Sequence, residues 1–387
     1  MRAAAADAKR SGHSVIAVDR FGDRDLLSIC ERWIEYDESG QWMSELADIP
    51  SCPIVPVGGF KWPTYQCEGD SQLANLHSHL VAYPNPATLD RLNSPQWLGE
   101  IASRCEITFP ETRHQIKGRT EPIFQPTVYS TMETNQWLRK PKIHAGGIGI
   151  SFASENSSCS PQEFLQRRLS GKPIGANFIA WQNDSESRVE LLGVFRAITY
   201  RRNRAQPFLY GGSMGPILLP PKLASTITRL AQAIATELNL LGLFNIDLLL
   251  GNKNELAMLE INPRYSASME LIPISTSLIN WHLACYQHRP NIGAEINCDV
   301  NIVRQCPSQT FACKRVVYAK SVQQDVTFDS AKLAPSLPTI TLCDLPRSSA
   351  SIAPGEPVCT VLVTGAKTMA QATRLSVKES VRLQATR

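Results

Sequence analysis

The hydrophobic and polar positions of this chain fall into short runs that predict a mixed α/β protein of several domains. Ala3 to Arg10 has helical composition, Gly12 stops it, and Ser14 to Asp19 reads as a buried strand ending in an acid. Such a pair is the helix and second strand of a βαβ unit. A first strand and glycine-rich turn are therefore expected ahead of residue 1, either upstream or lost. Asp90 to Cys105 predicts a helix and Ile107 to Pro110 a short strand. Thr134 to Lys140 predicts a strand entering the loop Ala145-Gly146-Gly147-Ile148-Gly149, and 174–181 and 189–198 predict adjacent strands joined across a polar turn. Leu223, Ile227, Leu230, Ala231, Ile234 and Leu238 fall at helical spacing, the stripe of a helix packed on a sheet. Beyond residue 291 come short strands at 316–319 and 358–363, then a helix from Thr368. The breaks predict three consecutive domains, 1–108, 109–290 and 291–387.

Composition narrows the function classes. At roughly 150 residues per domain, 387 residues hold two or three cores, and 43% hydrophobic with 19% charged residues is a globular balance. The 39 Lys+Arg against 35 Asp+Glu leave a formal charge of +4 with no long basic run, which argues against nucleic acid as a partner. The densest cluster, Arg201, Arg202 and Arg204, suits a phosphate or carboxylate. No apolar run approaches the ~20 residues a spanning helix needs, and the first residues carry no signal-peptide core, so a cytoplasmic protein without a membrane partner is expected. Eleven cysteines without a Cys-x-x-Cys pair read as buried or free thiols.

The chemistry concentrates near residue 250. Two apolar runs, Leu243 to Leu250 and Leu256 to Ile261, flank a Gly251-Asn252-Lys253-Asn254 turn, a hairpin signature. A turn centred on Lys253-Asn254 sets Asp247 opposite Glu260, and alternation puts Asn262 on the face of Glu260, with Arg264 just beyond. Opposed carboxylates repel unless a cation lies between them, and oxygen ligands of this kind suit Mg²⁺.

Asp247 with Glu260-Ile261-Asn262-Pro263-Arg264 resembles the metal-binding hairpin of ATP-grasp enzymes, the superfamily of biotin carboxylase, carbamoyl-phosphate synthetase and many carboxylate–amine ligases. The resemblance implies an ATP-grasp fold, preceded by a truncated Rossmann-like lobe and followed by a small mixed lobe. It implies Mg²⁺, or Mn²⁺ in its place, on Asp247, Glu260 and Asn262, with Arg264 contacting phosphate or substrate. Trp137-Leu138-Arg139-Lys140 is similar to the family's lysine strand, and Gly146, Gly147 and Gly149 to its phosphate-covering loop. Lys142 and His144 stand close enough to be confused with Lys140. The segment from Phe164 to Pro173 resembles the connector beneath adenine, so Gln166, Arg167 and Leu169 are expected to line the nucleoside pocket. Two departures stand out: the usual Gln-Glu or Glu-Lys pair is missing there, and Asp90 to Pro95 holds no entry lysine.

Tyr210-Gly211-Gly212-Ser213-Met214-Gly215 resembles the loop facing the acyl substrate, which nominates Gly211, Gly212 and Ser213. Ser266 and Ser268 read either as hydroxyls beside the phosphates or as a helix N-cap. The activity implied is ADP-forming ligation of a small-molecule carboxylate and an amine through an acylphosphate, with a homodimer left open. Ala353 to Val361 is similar to the terminal lobe of purine-pathway ATP-grasp carboxylases, and the whole resembles a subgroup linked to tetrahydromethanopterin and methanofuran one-carbon metabolism, such as tyramine–glutamate ligases. A bicarbonate-using carboxylase and a non-catalytic ATP-binding protein are the alternatives.

Overall fold

The computed structural model describes residues 1–37, 42–58, 79–116, 119–126, 130–142, 146–184, 186–200, 206–305, 310–323, 337–347 and 350–385. They form two compact units, one made of residues 1–83 with 273–387 and the other of residues 84–272. The three consecutive domains expected at 1–108, 109–290 and 291–387 do not coincide with these units. The helices Pro86–Leu92 and Pro95–Arg104 join the second unit because their apolar faces enter its core, and the chain returns to the first unit after residue 272.

In the first unit the helix Arg2–Arg10 and β1 (Ile16–Asp19) follow one another as the sequence predicts, and β1 pairs in parallel with β2 (Arg32–Glu35). Asp7 on that helix is buried and accepts hydrogen bonds from the Ser277 hydroxyl and the Ile279 N–H, at the start of the helix Leu278–Tyr286.

The second unit holds two sheets. The smaller contains β3 (Thr112–Ile116), β4 (Arg119–Phe124), β5 (Glu133–Pro141), β6 (Ser151–Ala153) and β7 (Glu163–Leu169) in the order β4-β3-β7-β5-β6. The larger contains β8 (Lys172–Asn183), β9 (Glu186–Thr199), β10 (Tyr210–Gly215), β11 (Gly242–Leu250) and β12 (Leu256–Asn262), side by side as β12-β11-β8-β9-β10. One face of this sheet carries Ala176, Phe178, Phe244, Ile246, Leu248, Met258 and Ile261, packed with Leu223, Ile227, Leu230 and Ile234 of the helix Pro221–Leu238. Burying such side chains stabilises the unit by ~2 kcal/mol each. Alternation leaves Gly175, Asn177, Asn245, Asp247, Glu260 and Asn262 on the opposite face.

A bulge in the hairpin decides which residues share that polar face. Close to the turn Leu250 pairs with Leu256 and Leu248 with Met258, a register that would set Asp247 against Leu259. One extra residue at that point restores Asp247 opposite Glu260, so Met258 and Ile261 both reach the core while Glu260 and Asn262 turn the other way. The expected Asp247–Glu260 pairing is correct, although the strand needs this irregularity to achieve it.

Three local expectations are corrected. The single helix at 90–105 is two helices, because Ser94-Pro95 begins a new one with Ser94 accepting the Trp97 N–H. The Tyr210–Gly215 segment is an edge-to-edge partner of β9 rather than a loop, with a register shift at Gly211–Gly212 that accommodates Gly212 at φ +135. The 164–173 connector is strand β7 followed by a tight turn at Ser170-Gly171. Every cysteine among the described residues is a free thiol. No helix among them is long and apolar enough to cross a membrane.

Candidate active site

The polar face of β11 and β12 gathers the hairpin residues into one hydrogen-bonded group. Asn245 Nδ2 donates to Asp247 Oδ1 at 2.7 Å, and Asn262 Nδ2 donates to Asp247 Oδ2 at 3.1 Å and Glu260 Oε1 at 3.3 Å. Arg264 Nη2 in turn donates to Asn262 Oδ1 at 3.0 Å. Burial, and then the Glu260 charge opposite, push the Asp247 carboxyl up to about 8, with the Asn245 hydrogen bond pulling the other way. Two half-buried acids in such proximity favour a cation between them. Glycine at 175, across from Asp247, follows from crowding: a Cβ there would lie 2.8 Å from Asn245 Oδ1 and 3.4 Å from Asp247 Oδ1.

The donor chemistry fits a hard divalent ion. Asp247 and Glu260 offer carboxylate oxygens, and Asn245 Oδ1 is buried without a hydrogen-bond partner. Asn262 currently turns its N–H toward both acids, so its amide must rotate to offer oxygen. No cluster of three His, Cys, Asp or Glu side chains with metal-binding geometry exists among the described residues, so an amide has to complete this set.

Lys140 lies on β5 of the smaller sheet and is only 5% exposed. Its Nζ donates to Gln166 Oε1 at 3.2 Å, and Gln166 Nε2 donates to Thr112 Oγ1 at 3.1 Å. Burial holds its pKa below the usual lysine value, while Glu260 and Asp247 act to raise it, so the ammonium lies within electrostatic reach of the hairpin acids. No carboxylate among the described residues is within ion-pair distance of it.

Other nominated residues are placed differently. Arg167 alternates with Gln166 on β7, so its side chain leaves the opposite face of the sheet, bonded to Glu111 at 2.8 Å and stacked over Trp137. The expectation that Arg167 and Gln166 line one pocket fails because neighbouring strand residues face apart. Leu169 is buried in a small cluster with Met132, Ala257 and Leu249. Gly146, Gly147 and Gly149 all take positive φ. The Gly146 carbonyl accepts the Tyr210 N–H at 2.8 Å, and a Cβ on Gly147 would meet the Phe208 carbonyl oxygen at 2.0 Å, so the loop rests on the entry to β10. His144 and Ala145 lie outside the described residues, as do Arg201, Arg202 and Arg204.

Gly211, Gly212 and Ser213 occupy β10, where the buried Ser213 hydroxyl shares a 2.7 Å hydrogen bond with Tyr210. Ser266 begins the 3-10 helix Ala267–Leu271, but its hydroxyl donates to Asn177 Oδ1 at 2.7 Å, and Ser268 joins the same group. Both hydroxyls are thereby spent on Asn177. Sequence reasoning passed over Thr112, Gly175, Asn177 and Asn245. Asn177 and Asn245 were findable: each is a polar residue at even spacing inside an otherwise apolar strand, two positions from a residue of the site.

Comparison with known proteins agrees with this architecture. Residues 112–268 match the family model of the ATP-grasp domain. Carboxyaminoimidazole ribonucleotide synthase from Aspergillus clavatus, solved with ATP, superposes with a TM-score of 0.64 at 14% identity, covering 100% of this chain and 95% of that one. N5-carboxyaminoimidazole ribonucleotide synthetase from Thermotoga maritima gives 0.61 at 12% identity, with 98% and 94% covered. The biotin carboxylase domain of Hydrogenobacter thermophilus 2-oxoglutarate carboxylase, solved with MgADP and bicarbonate, gives 0.60 at 12% identity, with 93% and 83% covered. No curated protein matches by sequence. The chain thus has a mixed α/β ATP-grasp fold with flanking lobes, and residues 112–268 are the part that matches the ATP-grasp domain model.

Proposed function

We propose that the protein is an ATP- and Mg²⁺-dependent ligase that activates a carboxylate as an acylphosphate and transfers the acyl group to an amine. One observation supports this reading: the buried Lys140, which has no ion pair among the described residues, feels the charges of Glu260 and Asp247 on the hairpin that also bears Asn262 and Arg264. Mg²⁺ on Asp247, Glu260 and the rotated Asn262 would neutralise the phosphates and hold them for in-line attack. Lys140 and Arg264 supply further positive charge where the transferred group gathers it. The glycine loop over Gly146 to Gly149 covers the phosphates and excludes water, which an acylphosphate requires. The connector backbone from Gln166 to Leu169 reads the purine, and the β10 residues Gly211, Gly212 and Ser213 border the acyl substrate. Positioning and charge do the catalytic work, so a protein nucleophile is unnecessary.

The finer reading joins a carboxylic acid to an amine in one-carbon cofactor assembly, supported by the run Asn262-Pro263-Arg264-Tyr265-Ser266-Ala267-Ser268-Met269-Glu270 and the Gly212-Ser213-Met214-Gly215-Pro216 segment. A carboxylase reading, with bicarbonate as the acid, is favoured by relatives aligned over nearly the whole chain, one solved with bicarbonate. ADP release with Mg²⁺ and paired acids and amines, against bicarbonate with the same amines, separates the two. Glu260→Gln should abolish ADP release while leaving the melting temperature within a few degrees. Full turnover in that variant would overturn the metal assignment. Mg²⁺-dependent ATP binding with no ADP from any pairing would favour the non-catalytic alternative.

A further inference from the structure

We propose that Thr112 is a positioning residue for ATP binding, acting on Lys140 through Gln166; the inference rests on the ATP-ligase reading above. Thr112 is fully buried at the start of β3 and stands across from Gln166 on β7. Its hydroxyl donates to the Pro110 carbonyl at 2.9 Å. A hydroxyl has a single hydrogen, and a carbonyl can only accept. With that hydrogen committed to Pro110, Thr112 can only accept from Gln166, which must turn its NH₂ toward it at 3.1 Å. The Gln166 amide oxygen is then forced toward Lys140 at 3.2 Å, where an ammonium has only donors to give. Polarity runs one way along the chain of four groups, from the lysine to a proline carbonyl. The two ends impose the same orientation on the amide between them.

A neutral partner has a consequence for binding. Gln166 holds the ammonium in place through one hydrogen bond without cancelling its charge, leaving two N–H groups and a full positive charge for phosphate oxygens. Removing the Thr112 hydroxyl leaves the buried Gln166 NH₂ without its acceptor, so the amide is no longer anchored at that end and its oxygen shifts away from the Lys140 ammonium.

The test measures binding of Mg²⁺ with a non-hydrolysable ATP analogue to the full chain by calorimetry, alongside melting curves without nucleotide. Thr112→Val, nearly isosteric, should weaken binding roughly tenfold, and Thr112→Ser, which keeps the hydroxyl, should bind as the parent does. The effect should vanish in a Gln166→Met background, because a residue acting through Gln166 has nothing left to orient. Should the valine chain not fold, Thr112→Ala in the same cycle reads out the same coupling. Parent-like affinity in Thr112→Val, or a loss that simply adds to that of Gln166→Met, overturns the proposal. Lys140→Met is the control for the underlying reading: if it binds the analogue as tightly as the parent, the ATP-site assignment fails, whatever Thr112 does.

Discussion

The smaller sheet has two faces that treat charge in opposite ways. On one, Arg113 and Arg167 stack over Trp137 at 4.6 and 4.8 Å, and Glu111, Glu133 and Glu155 surround them. Each of these two arginines has an acid and an aromatic ring, and Trp137 is 1% exposed between them. On the other, Lys140, Gln166 and Thr112 form a chain with one positive end, linked by neutral groups. Residues 166 and 167 are neighbours in sequence and belong to different faces. A paired, stacked arginine stabilises the sheet, whereas a buried lysine held by a neutral amide is costly to fold.

That contrast breaks most visibly at its functional end. Lys140→Met should lower ATP-dependent turnover by about 10²–10³-fold, the usual effect of removing one preorganised charge from an active site. The melting temperature without ligand should hold or rise, since a buried cation with no ion pair among the described residues is removed. A large drop in melting temperature with turnover intact would invert the assignment of the two faces. Glu111→Leu should act in the opposite sense. It leaves Arg113 and Arg167 without their shared acid, costing about 3 kcal/mol of stability, and ATP affinity measured well below the melting point should stay within a few fold.

A buried histidine in the other unit sharpens the comparison. His282 donates from Nε2 to the Ala82 carbonyl at 2.9 Å and is 1% exposed. Burial holds it at about 4, below the ordinary imidazole value, so the folded protein keeps it neutral. Between pH 6.5 and about 4 the unfolded chain takes up a proton that the folded one refuses. Its contribution is therefore whole above pH 6.5 and is lost as pH falls, by about 3 kcal/mol. His282→Gln should flatten that part of the stability–pH curve; a curve unchanged in shape would refute the neutral, buried histidine. Like the Glu111 group, this residue bears on folding.

How much of this was legible in the sequence depends on the interaction that places each residue. The hairpin was legible because apolar runs, a turn and alternation are local. The bulge that actually pairs Asp247 with Glu260 was not, since an extra residue is decided by which side chains the helix Pro221–Leu238 covers. Lys140 was nominated through the resemblance of its strand and the following glycine loop to those of ATP-grasp enzymes. Thr112 escaped because its role depends on pairing with a strand some fifty residues further on, and on a proline carbonyl that directs its hydrogen. The division into units escaped for the same reason: contacts between residues 1–83 and 273–387 leave no mark at either sequence boundary.

The smallest effect is the most selective. Arg167 was nominated for the nucleoside pocket by its place in the connector, yet it bonds Glu111 Oε2 through both Nε at 3.0 Å and Nη2 at 2.8 Å while lying over Trp137. Lysine at this position keeps the charge but loses the forked donor and the flat stacking surface. Arg167→Lys should therefore cost about 1 kcal/mol, a shift of roughly 2–4 °C in melting temperature. Affinity for Mg²⁺ with the ATP analogue should remain at the parent value. If the arginine instead reached the nucleotide, the pattern would reverse, with affinity falling tenfold and the melting curve unmoved. A single residue, changed without altering net charge, thus decides whether the two faces of β7 are separate in function as they are in geometry.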